Sequence, residues 1–239
     1  MSDGARGTVV FDLDGTLVDS APDLAGALDV LMEERGFEPF GVEATRSMIG
    51  HGMPALVAAA FGRRGGRADD DAVSRFVALY AERLTNTTRP YPGAAEAIAA
   101  LGGGGWRMVV CTNKREASAR AILSDLGLAQ PFAIIAGPDT FGVGKPDPEH
   151  LRRTLPGDSP AGHRAVMVGD SEVDVATARA AEVPVIACAW GYSRVPAREL
   201  GADRIAERFD QVPDLVEELV ATARPAGGGA PRRDMGGAK

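Results

Sequence analysis

The segment Val9–Ser20, VVFDLDGTLVDS, decides how the rest of the chain is read. An apolar run stops at Asp12, and a second carboxylate, Asp14, follows after one residue. Residues two apart in an extended chain point to the same side. Asp12 and Asp14 therefore face one way, and Leu13 turns toward the core. Two adjacent carboxylates repel, so one keeps its proton unless a cation relieves the pair. The plainer alternative makes both aspartates turn formers ahead of Gly15, since Asp-Gly is a common turn signal.

Five apolar runs share the character of this first one: Thr8–Asp12, Arg107–Thr112, Phe132–Gly137, Ala165–Asp170 and Pro184–Trp190. They are continuous rather than alternating, which suits strands covered on both faces. Helical patterns over Pro92–Leu101, Arg115–Leu126, Asp147–Leu155, Ser171–Ala181 and Val212–Ala223 alternate with them. This predicts an α/β fold, a doubly wound parallel sheet of Rossmann-like type. The stretch from Ser20 to Asn86 breaks the alternation with helix patterns and no strand. Leu24, Leu28 and Leu31 share one helical face, with Ser20 and Asp23 as an expected capping box and Gly36 as the stop. Val73, Phe76, Val77, Tyr80 and Leu84 share another. The expected organisation is a core domain of residues 1–19 and 88–223 and an inserted helical domain of residues 20–87. The Gly- and Pro-rich tail, 224–239, is expected to be disordered.

Composition narrows the function. The chain has 239 residues and a formal net charge of −7, a field that disfavours nucleic acid and anionic membrane as partners. A small anionic substrate needs a locally positive pocket. The first residues carry no apolar signal core, and no stretch has the length of a membrane span, so a cytoplasmic protein is expected. Cys111 and Cys188 lie in apolar runs and read as reduced core residues. The histidines, His51, His150 and His163, lack ligand spacing.

In open α/β sheets, ligands bind beyond the carboxyl ends of the strands. Three predicted strands end in polar groups there: Asp12, Thr112 and Asp170. Asp170 would add a third oxygen donor to Asp12 and Asp14, and a hard oxygen site suits Mg²⁺. Read alone, Thr112 is a polar strand end, Lys145 a solvated loop lysine and Asp174 a residue favoured at a helix N-terminus.

Taken in order, DLDGTLVDS, VVCTN (Val109–Asn113), GKPDP (Gly144–Pro148) and VGDSEVD (Val168–Asp174) resemble the four motifs of the haloacid dehalogenase superfamily of phosphohydrolases. The insertion after the first motif resembles that superfamily's helical cap. The resemblance implies that Asp12 is the nucleophile forming an aspartyl-phosphate, and that Asp14 protonates the leaving alcohol and then deprotonates water. It implies Mg²⁺ on the carboxylates of Asp12 and Asp170 and the backbone carbonyl of Asp14. Thr112, with the amide of Asn113 beside it, would hydrogen-bond the phosphoryl group. Lys145 would hold charge against it, and Asp174 would support Lys145 or a metal-bound water.

An acid at position 14 points to a phosphatase or phosphomutase within the superfamily. RSMIGHGMPALVAAAFG (Arg46–Gly62) resembles the cap segment of the phosphoglycolate phosphatase subfamily, and CTNK with Lys114 is similar to that subfamily too. The resemblance implies 2-phosphoglycolate as substrate, with Arg46, the loop Gly50–Gly52 and Lys114 facing the leaving group under a closing cap. Arg46 reads equally as an exposed helix residue. His51 stands where the subfamily typically carries Asn. Hinges are expected near residues 19–21 and 86–92. The alternatives are a phosphatase or pyrophosphatase acting on another small metabolite, a mutase like the β-phosphoglucomutases, and a non-catalytic binding protein. A monomer or homodimer fits all of them.

Overall fold

The computed structural model describes residues 5–156 and 164–222. The expectation of a disordered tail concerns residues outside these.

Strand β1 (Thr8–Phe11) leads directly into the aspartate loop. The loop returns as a two-residue strand, β2 (Val18–Asp19), and enters four helices: α1 (Ala21–Glu34), α2 (Gly41–Arg46), α3 (Met53–Arg63) and α4 (Asp70–Ala81). Strand β3 (Arg89–Pro90) brings the chain back, paired antiparallel to β2. Then follow α5 (Ala94–Gly103), β4 (Arg107–Cys111), α6 (Glu116–Asp125), β5 (Phe132–Ala136), α7 (Pro138–Phe141) and α8 (Pro148–Thr154). The chain continues through β6 (Ala165–Gly169), α9 (Glu172–Ala180), β7 (Val185–Cys188), β8 (Arg204–Ala206) and α10 (Val212–Thr222).

The main sheet has six parallel strands in the order β5-β4-β1-β6-β7-β8. β1 is buried between β4 and β6, and the connections run to opposite sides of it. That makes the carboxyl end of β1 the switch point where such sheets bind ligands. Side chains alternate across the sheet. Val9, Phe11 and Leu13 join the larger core under α5, α6 and α10, whereas Val10, Val109, Cys111 and Met167 pack on the other face with Leu151 of α8 and Ala178 of α9. Burial on both faces explains the unbroken apolar runs in the sequence.

The inserted helices bury a separate cluster. Leu24, Leu28 and Leu31 of α1 meet Leu56 and Phe61 of α3 and Phe76 and Tyr80 of α4. Gly36, at φ +75°, follows the end of α1, the left-handed conformation that favours glycine past a helix end.

Three features differ from the sequence expectation. The sheet has a sixth strand, β8, only three residues long at the edge. The neck is built as the small β2–β3 ribbon. And Ser20 and Asp23 form no capping box. Ser20 is the N-cap of α1, but its hydroxyl donates to Asp14 instead. Asp23 reaches across the neck: its carboxylate accepts from the amides of Thr87 and Thr88 and from both hydroxyls, at 2.6–3.1 Å. Burial raises the Asp23 carboxyl, and these hydrogen bonds more than reverse that, so it lies below its ordinary range.

Candidate active site

The site gathers where β1, β4 and β6 end. Asp12 follows β1 directly, anchored by its amide to the Val168 carbonyl of β6 (2.9 Å). Thr112 follows β4 and Asp170 follows β6, both nearly fully buried. The backbone then turns tightly through Gly15, at φ +88°. A β-carbon there would stand 2.5 Å from Asp170 Oδ2, so only glycine fits.

One ligand oxygen each from Asp12, Asp170 and Asp174 lie within 4.8 Å of one another. Lys145 enters this group from the loop before α8, with Nζ 2.6 Å from Asp174 Oδ1 and 2.8 Å from Asp12 Oδ1. The Asp12 contact is an ion pair without the angles of a hydrogen bond. Burial pushes the Asp12 carboxyl up to about 6, with Asp174 adding to the rise and Lys145 opposing it. Burial, with Asp174 and Asp12 beside it, holds Asp170 well above its ordinary range. Burial pulls Lys145 down, and the two aspartates more than reverse it.

Counting acceptor positions shows which carboxylates can take a cation. A carboxylate has about four lone-pair sites. Asp174 uses Oδ2 on the amides of Asp170 and Ser171 and the Ser171 hydroxyl, and one position of Oδ1 on Lys145 Nζ. Its bonds with Ser171 form a capping box at the start of α9, so Asp174 holds the helix and Lys145 and has less left for a cation than its neighbours. Asp170 accepts from Thr16 Oγ1 (2.9 Å) and the Tyr192 amide (2.7 Å), and keeps positions free. So does Asp12. Hard oxygen donors on these two buried residues fit Mg²⁺.

Asp14 does not join this cluster through its side chain. Its Oδ2 accepts from Lys114 Nζ at 2.9 Å, and its Oδ1 from Ser20. Lys114 is buried, and its ammonium lies 4.6 Å from the centroid of the Tyr80 ring of α4. Burial lowers Lys114, and Asp14 and Tyr80 outweigh it. Apart from the Asp14–Lys114 pair, Asp12, Asp170 and Asp174 face the single ammonium of Lys145, leaving two formal negative charges that one divalent cation cancels.

Two cavities open from Asp12 and Asp14, and both are roofed by Ile49 and Gly50 of the inserted segment. The smaller, about 40 Å³, runs between Thr112, Asn113 and Lys114 below and Leu24, Met53 and Leu56 above. The larger, about 240 Å³, runs past Asp170, Tyr192 and the exposed His51. Asn113 ties the parts together, its side-chain amide donating to the carbonyls of Gly50 and Lys145, each at 3.0 Å.

Arg46 lies at the neck. It lines neither cavity and pairs with Asp19 of the neck at 2.7 Å, its guanidinium over the Tyr192 ring. Sequence reasoning also missed Tyr192, Thr16 and Ser20, all in contact with the site carboxylates. The usable signal was the polar and aromatic run Trp190–Arg194, placed just beyond the end of β7.

Comparison with known proteins agrees with this geometry. Residues 9–188 match the family model described as haloacid dehalogenase-like hydrolase. The chain is 44% identical to a phosphoglycolate phosphatase of Rhodospirillum rubrum, over 86% of this chain and 89% of the relative. It is 38% identical to one of Mesorhizobium japonicum, over 92% and 99%. The crystal structure of a predicted phosphoglycolate phosphatase from Haemophilus somnus superposes with a TM-score of 0.82 at 26% identity, covering 87% of this chain and 97% of that one. With its motif residues assembled at one sheet edge and a family match over most of its length, the chain belongs to the haloacid dehalogenase-like hydrolases.

Proposed function

We propose that this chain is a Mg²⁺-dependent phosphatase that hydrolyses a small phosphate monoester, 2-phosphoglycolate, to glycolate and phosphate through an aspartyl-phosphate at Asp12. The observation that carries this reading is the pairing of two carboxylates with different surroundings. Asp12 lies with Asp170 and Lys145 in a pocket able to take a cation. Asp14, two residues on, is held apart from it by Lys114 and Ser20.

Asp12 and Asp170 would hold the ion, with the Asp14 backbone carbonyl. When bound, Mg²⁺ neutralises phosphoryl oxygens so that one anion can approach another. An Asp12 carboxylate oxygen attacks phosphorus and the ester P–O bond breaks. Asp14 enters this step as the neutral acid and gives its proton to the departing alkoxide. Asp14, now a carboxylate beside Lys114, then takes a proton from water as that water attacks phosphorus. The Asp12–phosphorus bond breaks, freeing phosphate and restoring Asp12. Lys145 steadies Asp12 as its charge moves onto the phosphoryl group, and Thr112 orients that group. In this reading residues 20–87 are the cap, and residues 1–19 and 88–223 the catalytic core.

Phosphoglycolate as substrate rests on the relatives' names and on the smaller cavity. About 40 Å³ between Leu24, Met53 and Leu56 admits a short leaving group, and Lys114 is the cation there. Hydrolysis rates across a panel of small phosphate esters, with and without Mg²⁺, test the proposal. Phosphoglycolate should lead, chelation should stop release, and Asp12→Asn should abolish it. A sugar phosphate or nucleotide in the lead would overturn the substrate, and no release from any ester would overturn the phosphatase reading.

A further inference from the structure

We infer that Tyr192 is a positioning residue that pins the neck of the inserted helices to the cation-site carboxylates, with Arg46 and Asp19 completing the latch. This rests on the phosphatase reading above and adds to it a residue outside the four motifs.

Tyr192 lies in the loop after β7 and is 8% exposed. Its backbone amide donates to Asp170 Oδ2 at 2.7 Å, so the loop is fixed to the site. Gly191 permits that approach, because a β-carbon there would lie 2.1 Å from the Asp170 Cβ. The ring then crosses to the neck. Its hydroxyl accepts from the amides of Ser20 (2.7 Å) and Ala21 (3.0 Å) and donates to Asp19 Oδ1 (2.7 Å).

These partners matter because of where they sit. Ser20 is the N-cap of α1 and its own hydroxyl is diverted to Asp14, so no side chain of the helix itself caps the first turn. A hydroxyl from the core domain supplies an acceptor instead. On the other side, Arg46 of α2 pairs with Asp19 Oδ2 and lies 5.5 Å from the Tyr192 ring centroid. Asp19 thereby receives Tyr192 on one oxygen and Arg46 on the other. One connected path runs from Asp170 through Tyr192 and Asp19 to Arg46, and a branch runs from Ser20 to Asp14. The hydroxyl seats the neck, the amide of the same residue holds Asp170, and Ser20, seated by that hydroxyl, holds Asp14.

A purely structural hydroxyl would alter stability alone. A latch alters the fraction of molecules with the helices seated for substrate. That fraction divides the apparent affinity, while saturating substrate restores the seated state. Tyr192→Phe keeps the ring and the amide bond to Asp170 and removes the three hydroxyl contacts. With full-length protein and Mg²⁺, KM for 2-phosphoglycolate should rise about three- to tenfold, the worth of about one net hydrogen bond, with kcat within about twofold of wild type. Amide exchange should quicken at Ser20 more than at Ala21, which keeps Asp19 Oδ1 as an acceptor at 3.3 Å, while β1 amides stay protected. An unchanged KM overturns the inference, whatever kcat does.

If Tyr192→Phe does not fold, Arg46→Gln carries the test with two substrates, 2-phosphoglycolate and p-nitrophenyl phosphate. A KM rise on both supports the latch. A rise confined to phosphoglycolate makes Arg46 a contact for the substrate carboxylate and overturns the latch, as does no rise on either. Wild type inactive on every ester refutes the phosphatase reading instead, so the two failures are distinct.

Discussion

Replacing Lys145 by Met asks whether the buried carboxylates need a cation. Lys145 is 6% exposed and stands between Asp12 and Asp174 at 2.8 and 2.6 Å. Methionine keeps much of the side-chain bulk and removes the charge. Asp12, Asp170 and Asp174 then face one another with no ammonium among them. Breaking a buried pair by deleting one partner costs about 3–5 kcal/mol, because the other charge is left uncompensated. For a domain of this size that is a fall in Tm of about 6–20 °C in chelated buffer. Two remedies are open to the folded variant. It can bind a divalent ion, which at a hundredfold excess over Kd restores about 2.7 kcal/mol. It can also take up protons. The Asp12 carboxyl is already pushed up to about 6 with Lys145 present, so removing Lys145 moves it higher. A carboxyl raised in the folded state favours folding below its unfolded value near 3.8 and loses that contribution as pH rises through the folded value. The chelated variant should therefore gain stability relative to wild type as pH falls from 8 to 6, and Mg²⁺ should raise its Tm more than that of wild type. Thermal melts at three pH values, with EDTA or Mg²⁺, measure this. A chelated variant melting within about 2 °C of wild type at pH 8 would refute the reasoning, since a cost of 3 kcal/mol corresponds to at least about 6 °C.

Asp14→Asn should lower kcat by about 10²–10⁴, the usual worth of a general acid–base, while isothermal titration still finds Mg²⁺ binding. Loss of the ion as well would assign Asp14 to the cation site through its side chain. Gly15→Ala should push Asp170 out of place and lower kcat/KM by about 10²-fold, because the new methyl group meets Asp170 Oδ2; activity retained within twofold would contradict the close approach. Asp23→Asn should destabilise the protein by about 2–4 kcal/mol at pH 7, since the Thr88 amide loses a charged acceptor. The Asp23 carboxyl is depressed in the folded state, so its contribution is present above the unfolded value near 3.8 and fades as pH falls through the folded one. Urea melts at pH 7 and pH 3.5 should show the gap between variant and wild type narrowing at the lower value.

Much of the main sheet was legible because β1, β4, β6 and β7 are covered on both faces and read as unbroken apolar runs, and β5, at the edge with Ala133 exposed, is still apolar throughout. Strand β8 was not, because Arg204–Ala206 is three residues long with two of them partly exposed, too little for any period to register. The two-residue strands of the neck escaped for the same reason. At the site, Asp12, Asp14, Thr112 and Asp170 were found by looking past strand ends. The same rule applied to β7 points to Tyr192, whose aromatic ring disguises a residue with a fully used hydroxyl. Ser20 and Asp23 show a different limit. Both have the types and spacing of a helix cap, and both are taken by stronger partners from elsewhere, Asp14 and the threonines of the neck. Local pattern proposes a cap, and tertiary contacts decide who receives the bond. Arg46 reads equally as a contact for the leaving group under a closing cap and as an exposed helix residue, because a long side chain pairs with whichever acid the fold brings near, here Asp19.

The separate apolar cluster of the four inserted helices carries a last consequence. Cleavage chemistry hangs from strand ends that those helices do not build, whereas the ceiling over the ester comes from them. Reshaping the helices between the two neck strands should retune which alcohol is accepted and spare the bond-breaking apparatus, provided Ser20, Gly50 and Tyr80 keep their contacts to Asp14, Asn113 and Lys114. On the phosphatase reading, selectivity is an exchangeable part bolted to its engine at three named points.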